Sequence, residues 1–364
     1  MAAAPLQAFF KPYLRAVYPA RPVCAASGGR GASEEIWFTA MTGIRAWAAG
    51  QGLPVREAVA RLVTAGIWPE SFRRNYGLFS AQDMARLLRC RVLVLGCGGL
   101  GGHVAELLAR TGVGFLRLVD NDVFDESNLN RQRFCAESTL NRPKALVVGQ
   151  ALTDIAFHLE VEALQMEAHE GNMPELVSGM DAVMDCLDNI GGKLALEKAS
   201  LAAGRPFIHG SILREEGFAY VNSGPDACLD ALYPEGQGAE ELALSRHEAV
   251  GTLAPAAVAC LMARLCLRAL TAPASAHACA NAGDAAHAAA QAVPGIATTA
   301  GTEGTETSTE TGAGPATDPD ADAAGHVAGA GNGAVAPGGQ SPDVRSPLYH
   351  LDLSVPELER FFWE

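Results

Sequence analysis

The sequence has few lysines and carries no excess of positive charge. Its formal net charge is −14, from 41 acidic and 27 basic residues. Proteins bind nucleic acid mainly through lysine and arginine contacts to phosphates, so a chain this acidic is a poor candidate for that function. The four lysines are Lys11, Lys144, Lys193 and Lys198, which makes each of them easy to inspect. We predict no nucleic-acid partner.

Paired cysteines and long apolar runs are also missing. The nine cysteines are scattered, and no two form a CxxC pair. This pattern predicts free thiols in a reducing cytoplasm rather than a disulfide framework. No apolar run reaches the roughly 18 residues that a membrane span needs. Basic residues interrupt the N-terminus where a signal sequence would have its apolar core, so we predict a cytoplasmic protein without a membrane segment.

Composition and periodicity divide the chain into five segments. The apolar residues Val55, Val59 and Leu62 recur at helical spacing, whereas the Ala-, Gly- and Thr-rich stretch after residue 271 lacks the apolar surface that folding needs. A strand pattern resumes beyond that stretch, which indicates an insertion rather than a tail. The predicted segments are a loose N-terminal extension (1–35), a helical accessory segment (36–71), a main domain (72–271), a disordered low-complexity insertion (272–346) and a C-terminal strand and short helix that complete the main domain (347–364).

Short apolar strands alternate with helices from Arg91 onward. The predicted strands are Arg91–Leu95, Phe115–Val119, Asp181–Cys186, Pro206–Ile212 and Phe218–Asn222, and the predicted helices are Gly99–Arg110, Pro143–Ile155, Gly192–Ala203 and residues 255–270. This alternation predicts an α/β fold with a Rossmann-like, doubly wound and mostly parallel sheet. The last two strands are joined by a short turn, which predicts antiparallel strands at one edge.

A glycine-rich loop directly follows the first predicted strand. Gly96, Gly98 and Gly101 form GxGxxG, with Gly99 between them. Glycines let a backbone approach a phosphate group, and the N-terminus of the following helix adds amide donors and partial positive charge. Asp120 follows the next strand, 24 residues after Gly96, where a carboxylate can accept hydrogen bonds from a ribose diol. These residues predict a nucleotide site, and alone they would favour NAD.

The residues that follow favour ATP and Mg²⁺ over NAD. Asn128 and Arg131 are three residues apart and can share a helical face, and Lys144 stands at the start of a predicted helix. Asp188 follows the third strand, at the sheet edge where α/β proteins bind ligands. Two cations can neutralise triphosphate oxygens, and a carboxylate can hold Mg²⁺. Each residue alone could be part of a surface ion pair, but their joint placement favours phosphoryl chemistry over hydride transfer.

Several longer stretches resemble the MoeB/ThiF/HesA family, the bacterial relatives of ubiquitin-activating enzymes. The resemblance runs from about Phe72 to Asn222 and resumes at Gly251–Pro255 and at Leu348–Leu353. The matching stretches are GCGGLGG at 96–102, LVDNDVFDESNLNRQ at 118–132, RPK at 142–144, DCLDN at 185–189 and HGSILREEG at 209–217. This combination is far more specific than GxGxxG alone, and it identifies residues 72–271 as a ThiF-type adenylation domain.

The resemblance implies an ATP- and Mg²⁺-dependent adenylyltransferase. In that reaction the C-terminal Gly-Gly carboxylate of a ubiquitin-like sulfur-carrier protein attacks the α-phosphate of ATP, giving an acyl adenylate and pyrophosphate. No general base is needed, because a carboxylate is already ionised at neutral pH. The resemblance further implies a homodimer, in which Arg74 reaches the active site of the partner subunit, although the stretch Phe72-Arg73-Arg74-Asn75 differs from the usual Arg-Tyr-x-Arg-Gln.

The implied roles fall into three groups. Asp120 would bind the ribose, and Asp188 would bind Mg²⁺. The catalytic residues would be Arg131, Lys144, Asp188 and Arg74. The nucleotide-binding residues would be Gly96, Gly98, Gly99, Gly101, Asp120, Asp122, Asn128, Arg131, Gln132 and Lys144.

The sequence departs from the family at two cysteine positions. Many relatives hold a structural zinc with two CxxC pairs, but the first pair is here Cys228-Leu229-Asp230-Ala231. A four-thiolate site cannot be assembled from one remaining ligand, so we predict no zinc. Some relatives also use a cysteine to link covalently to the carrier, and His247 stands in its place. We therefore interpret Cys228 as a packing cysteine and expect a separate sulfur donor.

Three alternatives remain open. The same fold could adenylate a small carboxylate, a peptide or a tRNA, although the acidic charge argues against tRNA. The domain could also be a non-catalytic nucleotide-binding module or an NAD oxidoreductase, although intact Arg131, Lys144 and Asp188 argue against a dead site. The destination of the sulfur (molybdopterin, its tungsten counterpart, thiamine or another product) stays open.

Overall fold

A computed structural model of the chain describes residues 3–19, 35–224, 226–227, 229–233, 249–272, 347–352 and 357–362. All of these residues belong to one compact unit. The insertion predicted at 272–346 lies outside the described residues apart from Ala272, as do Cys228 and His247.

The N-terminal region forms a small three-stranded sheet with helices. Its elements are α1 (Ala3–Phe10), a 3₁₀ turn (Lys11–Tyr13), β1 (Leu14–Pro19), β2 (Glu35–Thr39), α2 (Met41–Gln51), α3 (Val55–Thr64), β3 (Ile67–Pro69) and a second 3₁₀ turn (Glu70–Phe72). The strand order is β1-β2-β3. β1 pairs with β2 in antiparallel fashion, and β2 pairs with β3 in parallel fashion.

This region corrects the prediction of a loose N-terminal extension. Residues 3–19 form α1 and β1, and Phe10 is fully buried against Trp47, with 6.4 Å between the ring centroids. β1 is a strand because it pairs with β2, and the local periodicity of residues 14–19 does not reveal that pairing. Residues 36–71 contain α2 and α3 at the predicted helical spacing, but β2 and β3 are additional.

The second sheet has eight strands. Its region contains α4 (Ala81–Leu87), β4 (Arg91–Leu95), α5 (Gly101–Thr111), β5 (Phe115–Val119), two 3₁₀ turns (Glu126–Asn128 and Glu137–Thr139), α6 (Lys144–Ile155), β6 (Glu160–Leu164), α7 (Met173–Val177), β7 (Ala182–Asp185), α8 (Ile190–Ala202), β8 (Phe207–Leu213), β9 (Glu216–Asn222), α9 (Leu229–Leu232), α10 (Leu253–Thr271), β10 (Pro347–Asp352) and β11 (Glu357–Phe362). The strand order is β11-β10-β9-β8-β7-β4-β5-β6. The five strands from β8 to β6 are parallel, and β9, β10 and β11 are antiparallel.

Both faces of this sheet are buried, which confirms the doubly wound prediction. In β4, Val92 and Val94 pack into one core with α5, α6 and α10. The alternate residues Leu93 and Leu95 pack into a second core with α7 and α8. A strand covered on both faces has a nearly continuous apolar sequence, as β4 has at residues 92–95. The elements α4, β6 and α7 were not predicted from the sequence.

The antiparallel edge is confirmed, but its last element is not the predicted short helix. β10 pairs with β9, and residues Glu357–Phe362 form β11, which pairs with β10 from Pro347↔Phe362 to Asp352↔Glu357. A helix here would leave the outer backbone groups of β10 without strand partners, whereas β11 satisfies them. Trp363 lies outside the described residues.

Helix α10 is long and apolar enough to be a candidate membrane span by length and composition, with a mean hydropathy of 1.7. This differs from the prediction that no apolar run reaches the length of a membrane span. Val258, Met262 and Cys266 of this helix are fully buried, and they pack in the same core as Val92 and Val94 of the sheet. We therefore describe α10 as a core helix of the domain.

Candidate functional site

The glycine loop turns sharply from β4 into α5. Gly96 has a φ of +92°, and its amide donates to the Val119 carbonyl oxygen at the end of β5 (2.8 Å). A Cβ at Gly96 would collide with the Cys186 carbonyl, and a Cβ at Gly101 would collide with the Gly96 carbonyl oxygen. The turn itself therefore requires glycine at both positions.

Gly98 and Gly99 are not required in this way. A Cβ at Gly98 would lie 3.5 Å from Gln132 Nε2, and a Cβ at Gly99 would lie 3.8 Å from Pro255. Both are ordinary contact distances. Their assignment to nucleotide binding remains a prediction that depends on close approach by a ligand.

Asp120 ties the end of β5 to the glycine loop. Its Oδ2 accepts a hydrogen bond from the Cys97 amide (2.6 Å), and its Oδ1 accepts one from the Asp122 amide (2.8 Å). Burial raises the pKa of the Asp120 carboxyl, and the two backbone hydrogen bonds oppose that shift. Each carboxylate oxygen has further lone pairs, so the side chain can still accept from a ribose hydroxyl in the role predicted for it.

Lys144 places a buried cation close to this loop. It is the first residue of α6 and is 7% exposed. Its Nζ donates to Asp122 Oδ2 (3.0 Å), and its backbone amide donates to the Asp122 carbonyl oxygen (2.9 Å). The structure thus brings two predicted nucleotide-binding residues, Asp122 and Lys144, into direct contact.

The 3₁₀ turn after β5 positions Asn128, Arg131 and Gln132. The Asn128 Oδ1 accepts from the Asp125 amide (3.2 Å), which caps the turn. The Arg131 guanidinium donates to the Ser127 carbonyl oxygen (2.8 Å) and so remains on its own turn. Gln132 lies beside Gly98 and is 8% exposed, and its buried Oε1 has no hydrogen-bond partner within the described part of the chain. An unpartnered buried acceptor next to the glycine loop is a feature that a bound ligand would explain.

Asp188 lies at the end of β7, beside the glycine loop. The Cys186 amide donates to the Leu95 carbonyl oxygen (2.9 Å), which joins the turn after β7 to the last residue of β4. Asp188 is exposed, and among the described residues no hydrogen bond or ion pair joins it to Arg131 or Lys144. The three residues therefore lie at the same edge of the sheet without direct contact.

A buried polar network beneath the Asp188 turn was not predicted. Asp185 Oδ2 lies 2.6 Å from His209 Nδ1 and 3.6 Å from Lys193 Nζ. The His209 Nε2 lies 3.2 Å from the Tyr233 hydroxyl. Asp185 and His209 are fully buried, and Lys193 is 5% exposed. Two signals in the sequence pointed to it: Lys193 is one of four lysines, and His209 interrupts an apolar strand.

The charges of this network stabilise one another. Burial opposes ionisation of both Asp185 and Lys193, but their mutual attraction prevails, so the pKa of the Asp185 carboxyl is lowered and that of the Lys193 ammonium is raised. Burial and the nearby Lys193 charge lower the pKa of His209. At neutral pH the network therefore contains a carboxylate, an ammonium and a neutral imidazole.

The other predicted functional residues do not meet at this edge in the described chain. Arg74 is exposed in the turn that follows Phe72. No group of three or more His, Cys, Asp or Glu residues that could hold a metal ion occurs among the described residues. Cys228 is not described, so the absence of zinc stays a prediction.

A cavity of about 510 Å³ lies elsewhere on the domain. Cys90, Asp181 and Pro206 line it, and these residues stand just before β4, β7 and β8. The cavity is therefore at the amino-terminal edge of the sheet, away from the predicted site, and no predicted site residue lines it. In open α/β sheets, ligands bind at the opposite, carboxyl-terminal edge.

The arrangement at the carboxyl edge suits a bound nucleoside phosphate. A phosphate group bound here would accept hydrogen bonds from the amides of the glycine loop and of the start of α5, and it would lie near the positive charges of Lys144 and Arg131. Asp188 adds an exposed carboxylate on the neighbouring strand.

Comparisons with known proteins show which family this domain matches. A family model described as the ThiF family matches residues 72–293. The SAMP-activating enzyme E1 of Haloferax volcanii is 36% identical over 156 residues, which cover 42% of this chain and 57% of that protein. The molybdopterin-synthase adenylyltransferase of Escherichia coli is 33% identical over 162 residues, which cover 43% of this chain and 65% of that protein. The adenylyltransferase and sulfurtransferase MOCS3 of Danio rerio is 35% identical over 175 residues, which cover 47% of this chain and 38% of that protein.

The matched region thus spans less than two thirds of the length of each of these relatives. Among solved structures, Escherichia coli MccB with ATP is 20% identical and covers 56% of this chain and 64% of its own, with a TM-score of 0.49. The family match begins at Phe72, after the N-terminal sheet, and includes every predicted site residue. Because this match extends over more than half of the sequence, the chain belongs to the ThiF family.

Proposed function

We propose that this chain adenylates the C-terminal Gly-Gly carboxylate of a ubiquitin-like sulfur-carrier protein with ATP and releases pyrophosphate. The observation that carries the proposal is the buried Lys144 ammonium, held by Asp122 beside a glycine loop that tolerates no side chain at Gly96 or Gly101. The names of the relatives, an adenylyltransferase and an activating enzyme E1, support the reaction class.

In this proposal the phosphates of ATP bind at the glycine loop and the N-terminus of α5. Lys144 and Arg131 neutralise phosphate oxygens, and Asp120 accepts hydrogen bonds from the ribose. Gln132 and Asn128 line the same pocket from the 3₁₀ turn. The protein mainly positions the reactants and balances charge, as is usual in phosphoryl-group chemistry.

The residues present fit Mg²⁺ when it arrives with a nucleotide. Mg²⁺ is commonly bound by one or two carboxylates together with substrate phosphates and water, rather than by a full set of protein ligands. Asp188 supplies one exposed carboxylate without an ion-pair partner in the described chain. Mg²⁺ would neutralise charge on the phosphates during the reaction.

The chemical step needs no group on the protein to remove a proton. An oxygen of the carrier carboxylate, already ionised at neutral pH, forms a bond to the α-phosphorus. The bond from that phosphorus to the bridging oxygen of pyrophosphate breaks, and the electron pair leaves with pyrophosphate. The products are a carrier acyl adenylate and pyrophosphate, and a separate sulfur donor would then form the thiocarboxylate.

ATP–pyrophosphate exchange tests this proposal. Labelled pyrophosphate should enter ATP when the full chain is mixed with MgATP and a small carrier that ends in Gly-Gly. The matched control is the same carrier with its last glycine removed, which should not support exchange. Exchange with a free small carboxylate but with no Gly-Gly carrier would contradict the carrier assignment, and no exchange with either would contradict adenylation.

A further inference from the structure

We propose that Tyr233 and His209 are positioning residues for the metal–nucleotide end of the site, because they orient the Asp185 carboxylate that holds the turn bearing Asp188. The inference rests on the proposed function, since Asp188 has a role only if a metal nucleotide binds. It concerns a hydrogen-bonded chain that runs from Tyr233, just after α9, to the end of β7.

The Asp188 carboxylate has no side-chain partner in the described chain, so its position depends on the backbone of its turn. Three hydrogen bonds fix that backbone. Cys186 donates to the Leu95 carbonyl oxygen (2.9 Å), Leu187 donates to Asp185 Oδ1 (3.0 Å), and Gly192 donates to the Asn189 side chain that caps α8 (2.8 Å). The Leu187 bond is the closest to Asp188 in sequence, and it exists only while the Asp185 carboxylate keeps its orientation.

A hydrogen bond to the second carboxylate oxygen, Oδ2, sets the orientation of Asp185. Asp185 Oδ2 is an ionised acceptor 2.6 Å from His209 Nδ1, so that nitrogen must carry the proton. The imidazole is neutral, which makes Nε2 an acceptor, and Tyr233 donates its hydroxyl proton to it (3.2 Å). Burial raises the pKa of Tyr233, so its hydroxyl stays protonated. One assignment of protons therefore satisfies the whole chain.

Two further groups face the network. Lys193 Nζ lies 3.6 Å from Asp185 Oδ2 and 3.4 Å from the Gly210 carbonyl oxygen, and it balances the carboxylate charge. The Ser211 side chain forms a hydrogen bond with Tyr233. Removing Asp185 or Lys193 would leave an uncompensated buried charge, which is strongly destabilising. The tests therefore use the neutral members of the chain.

Tyr233→Phe removes the hydroxyl that donates to His209 Nε2 and leaves that nitrogen a buried acceptor without this partner. The ring loses the contact that holds its far side, so it can tilt and lengthen its hydrogen bond to Asp185. A longer bond would let the carboxylate rotate and release the Leu187 amide. We expect the Asp188 turn to loosen and binding of a metal nucleotide to weaken about 5- to 10-fold, which corresponds to the loss of roughly one neutral hydrogen bond.

The control is Ser200→Ala. Ser200 is a fully buried residue of α8, the helix that follows the Asp188 turn, and its hydroxyl donates to the Arg205 carbonyl oxygen (2.9 Å). It lies near the opposite end of that helix from Asp188. Both variants remove a hydroxyl hydrogen bond from the same domain, but only Tyr233→Phe removes one from the proposed chain.

The experiment measures binding of Mn²⁺·ATP by electron paramagnetic resonance, with Mn²⁺ as the probe in place of Mg²⁺. It also measures the ¹⁵N shifts of the His209 ring, which report the hydrogen bonds of both ring nitrogens without any ligand. We expect weaker binding and a changed Nε2 shift in Tyr233→Phe, with both unchanged in Ser200→Ala. Equal binding in wild type and Tyr233→Phe, or equal weakening in both variants, would overturn the positioning role while leaving adenylation intact. A wild-type chain that binds no Mn²⁺·ATP would overturn the proposed function and this inference with it.

A second variant guards against a simple folding defect. His209→Asn keeps a donor near the position of Nδ1 but has no atom at the position of Nε2, so its donation to Asp185 does not depend on Tyr233. In the His209→Asn background, adding Tyr233→Phe should cause no further loss of Mn²⁺·ATP binding. A full additional loss would show that the tyrosine acts by another route and would overturn the proposal.

Discussion

At the scale of single residues, Asp188 is an exposed side chain to which we assign a part in the proposed reaction. It is outside both cores, and it lies in a turn whose shape is fixed by its neighbours. We expect Asp188→Ala to reduce ATP–pyrophosphate exchange by roughly 100-fold or more, because it removes the carboxylate proposed to hold the metal ion that neutralises phosphate charge. The free energy of unfolding should change by less than about 0.5 kcal/mol, as for most surface substitutions. Exchange rate and chemical denaturation measure the two effects separately.

Asp154→Ala is a suitable control for this prediction. Asp154 is another exposed carboxylate, on α6, the helix that begins with Lys144. Its removal should leave both exchange and stability close to wild type. An Asp188→Ala variant that keeps full exchange would contradict the mechanism and would reopen the non-catalytic alternative.

His158 predicts a pH dependence of stability that is separate from the site. Burial lowers its pKa from 6.5 to about 4. Between these two pH values, His158 is protonated in the unfolded chain but neutral in the folded protein. The free energy of unfolding should therefore fall as the pH decreases from about 6.5 to 4, by up to about 3 kcal/mol from this residue. Urea denaturation at several pH values should show a shallower fall in His158→Leu. The exposed His169→Leu should behave as wild type, and identical pH profiles for wild type and His158→Leu would exclude His158 as the cause.

The predicted site residues that the structure brings to one edge of the sheet are those next to regular elements. Gly96, Asp120 and Lys144 each follow or begin an element with a clear pattern, and the structure brings them to one edge of the sheet. The His209–Tyr233 contact could not be predicted in this way. These residues are 24 positions apart, and their meeting depends on how the segment after β9 returns to the sheet.

The glycine loop and α5 form the element whose shape matters most for the site. A methyl group at Gly101 would meet the Gly96 carbonyl oxygen, so Gly101→Ala must displace either the loop or the helix. We expect a loss of about 1–3 kcal/mol in the free energy of unfolding, together with weaker ATP binding in a calorimetric titration.

Gly50→Ala tests whether that loss comes from the loop or from alanine itself. Gly50 lies in α2, and a Cβ there would meet nothing within 4 Å. Alanine is the better helix former, so this variant should be more stable by up to about 1 kcal/mol. If both variants were destabilised equally, the collision at Gly101 would not be the cause.

Helices and strands differ in how well their local sequence predicts them. The buried strands β4 and β5 have the bounds that were predicted, because a strand covered on both faces is mostly apolar; Arg91 and Arg117 are the only charged residues in these two strands. β6 is partly exposed along its whole length, so it lacks that signal. β1 is stabilised by pairing with β2, and β11 by pairing with β10. The sequence of a single segment does not show which strand it will pair with.

At the scale of the whole molecule, the sheet is completed from a distant part of the chain. β10 begins at Pro347 and pairs with β9, which ends at Asn222. The sequence indicated this return because an apolar strand pattern reappears after residue 346. Loop-closure entropy grows slowly with length, so a long insertion between α10 and β10 is compatible with a stable edge.

The role predicted for Arg74 requires a dimer of two chains. It is exposed and lies after the N-terminal sheet, and the family resemblance assigns it to the active site of a partner subunit. If that assignment holds, Arg74→Ala and Asp188→Ala should each be inactive alone, because each destroys both sites of a homodimer. In a mixed dimer, however, one site would combine the intact Asp188 of one subunit with the intact Arg74 of the other.

Mixing the two inactive variants therefore tests the homodimer and the role of Arg74 together. With equal amounts and complete subunit exchange, half of the dimers are mixed and each has one intact site, so about a quarter of wild-type exchange activity should return. Mixing Asp188→Ala with Lys144→Ala is the control. Both of those residues belong to the same subunit's site, so no mixed dimer has an intact site and no activity should return. Recovery in neither mixture, with dimers present by sedimentation, would place Arg74 outside the partner's site.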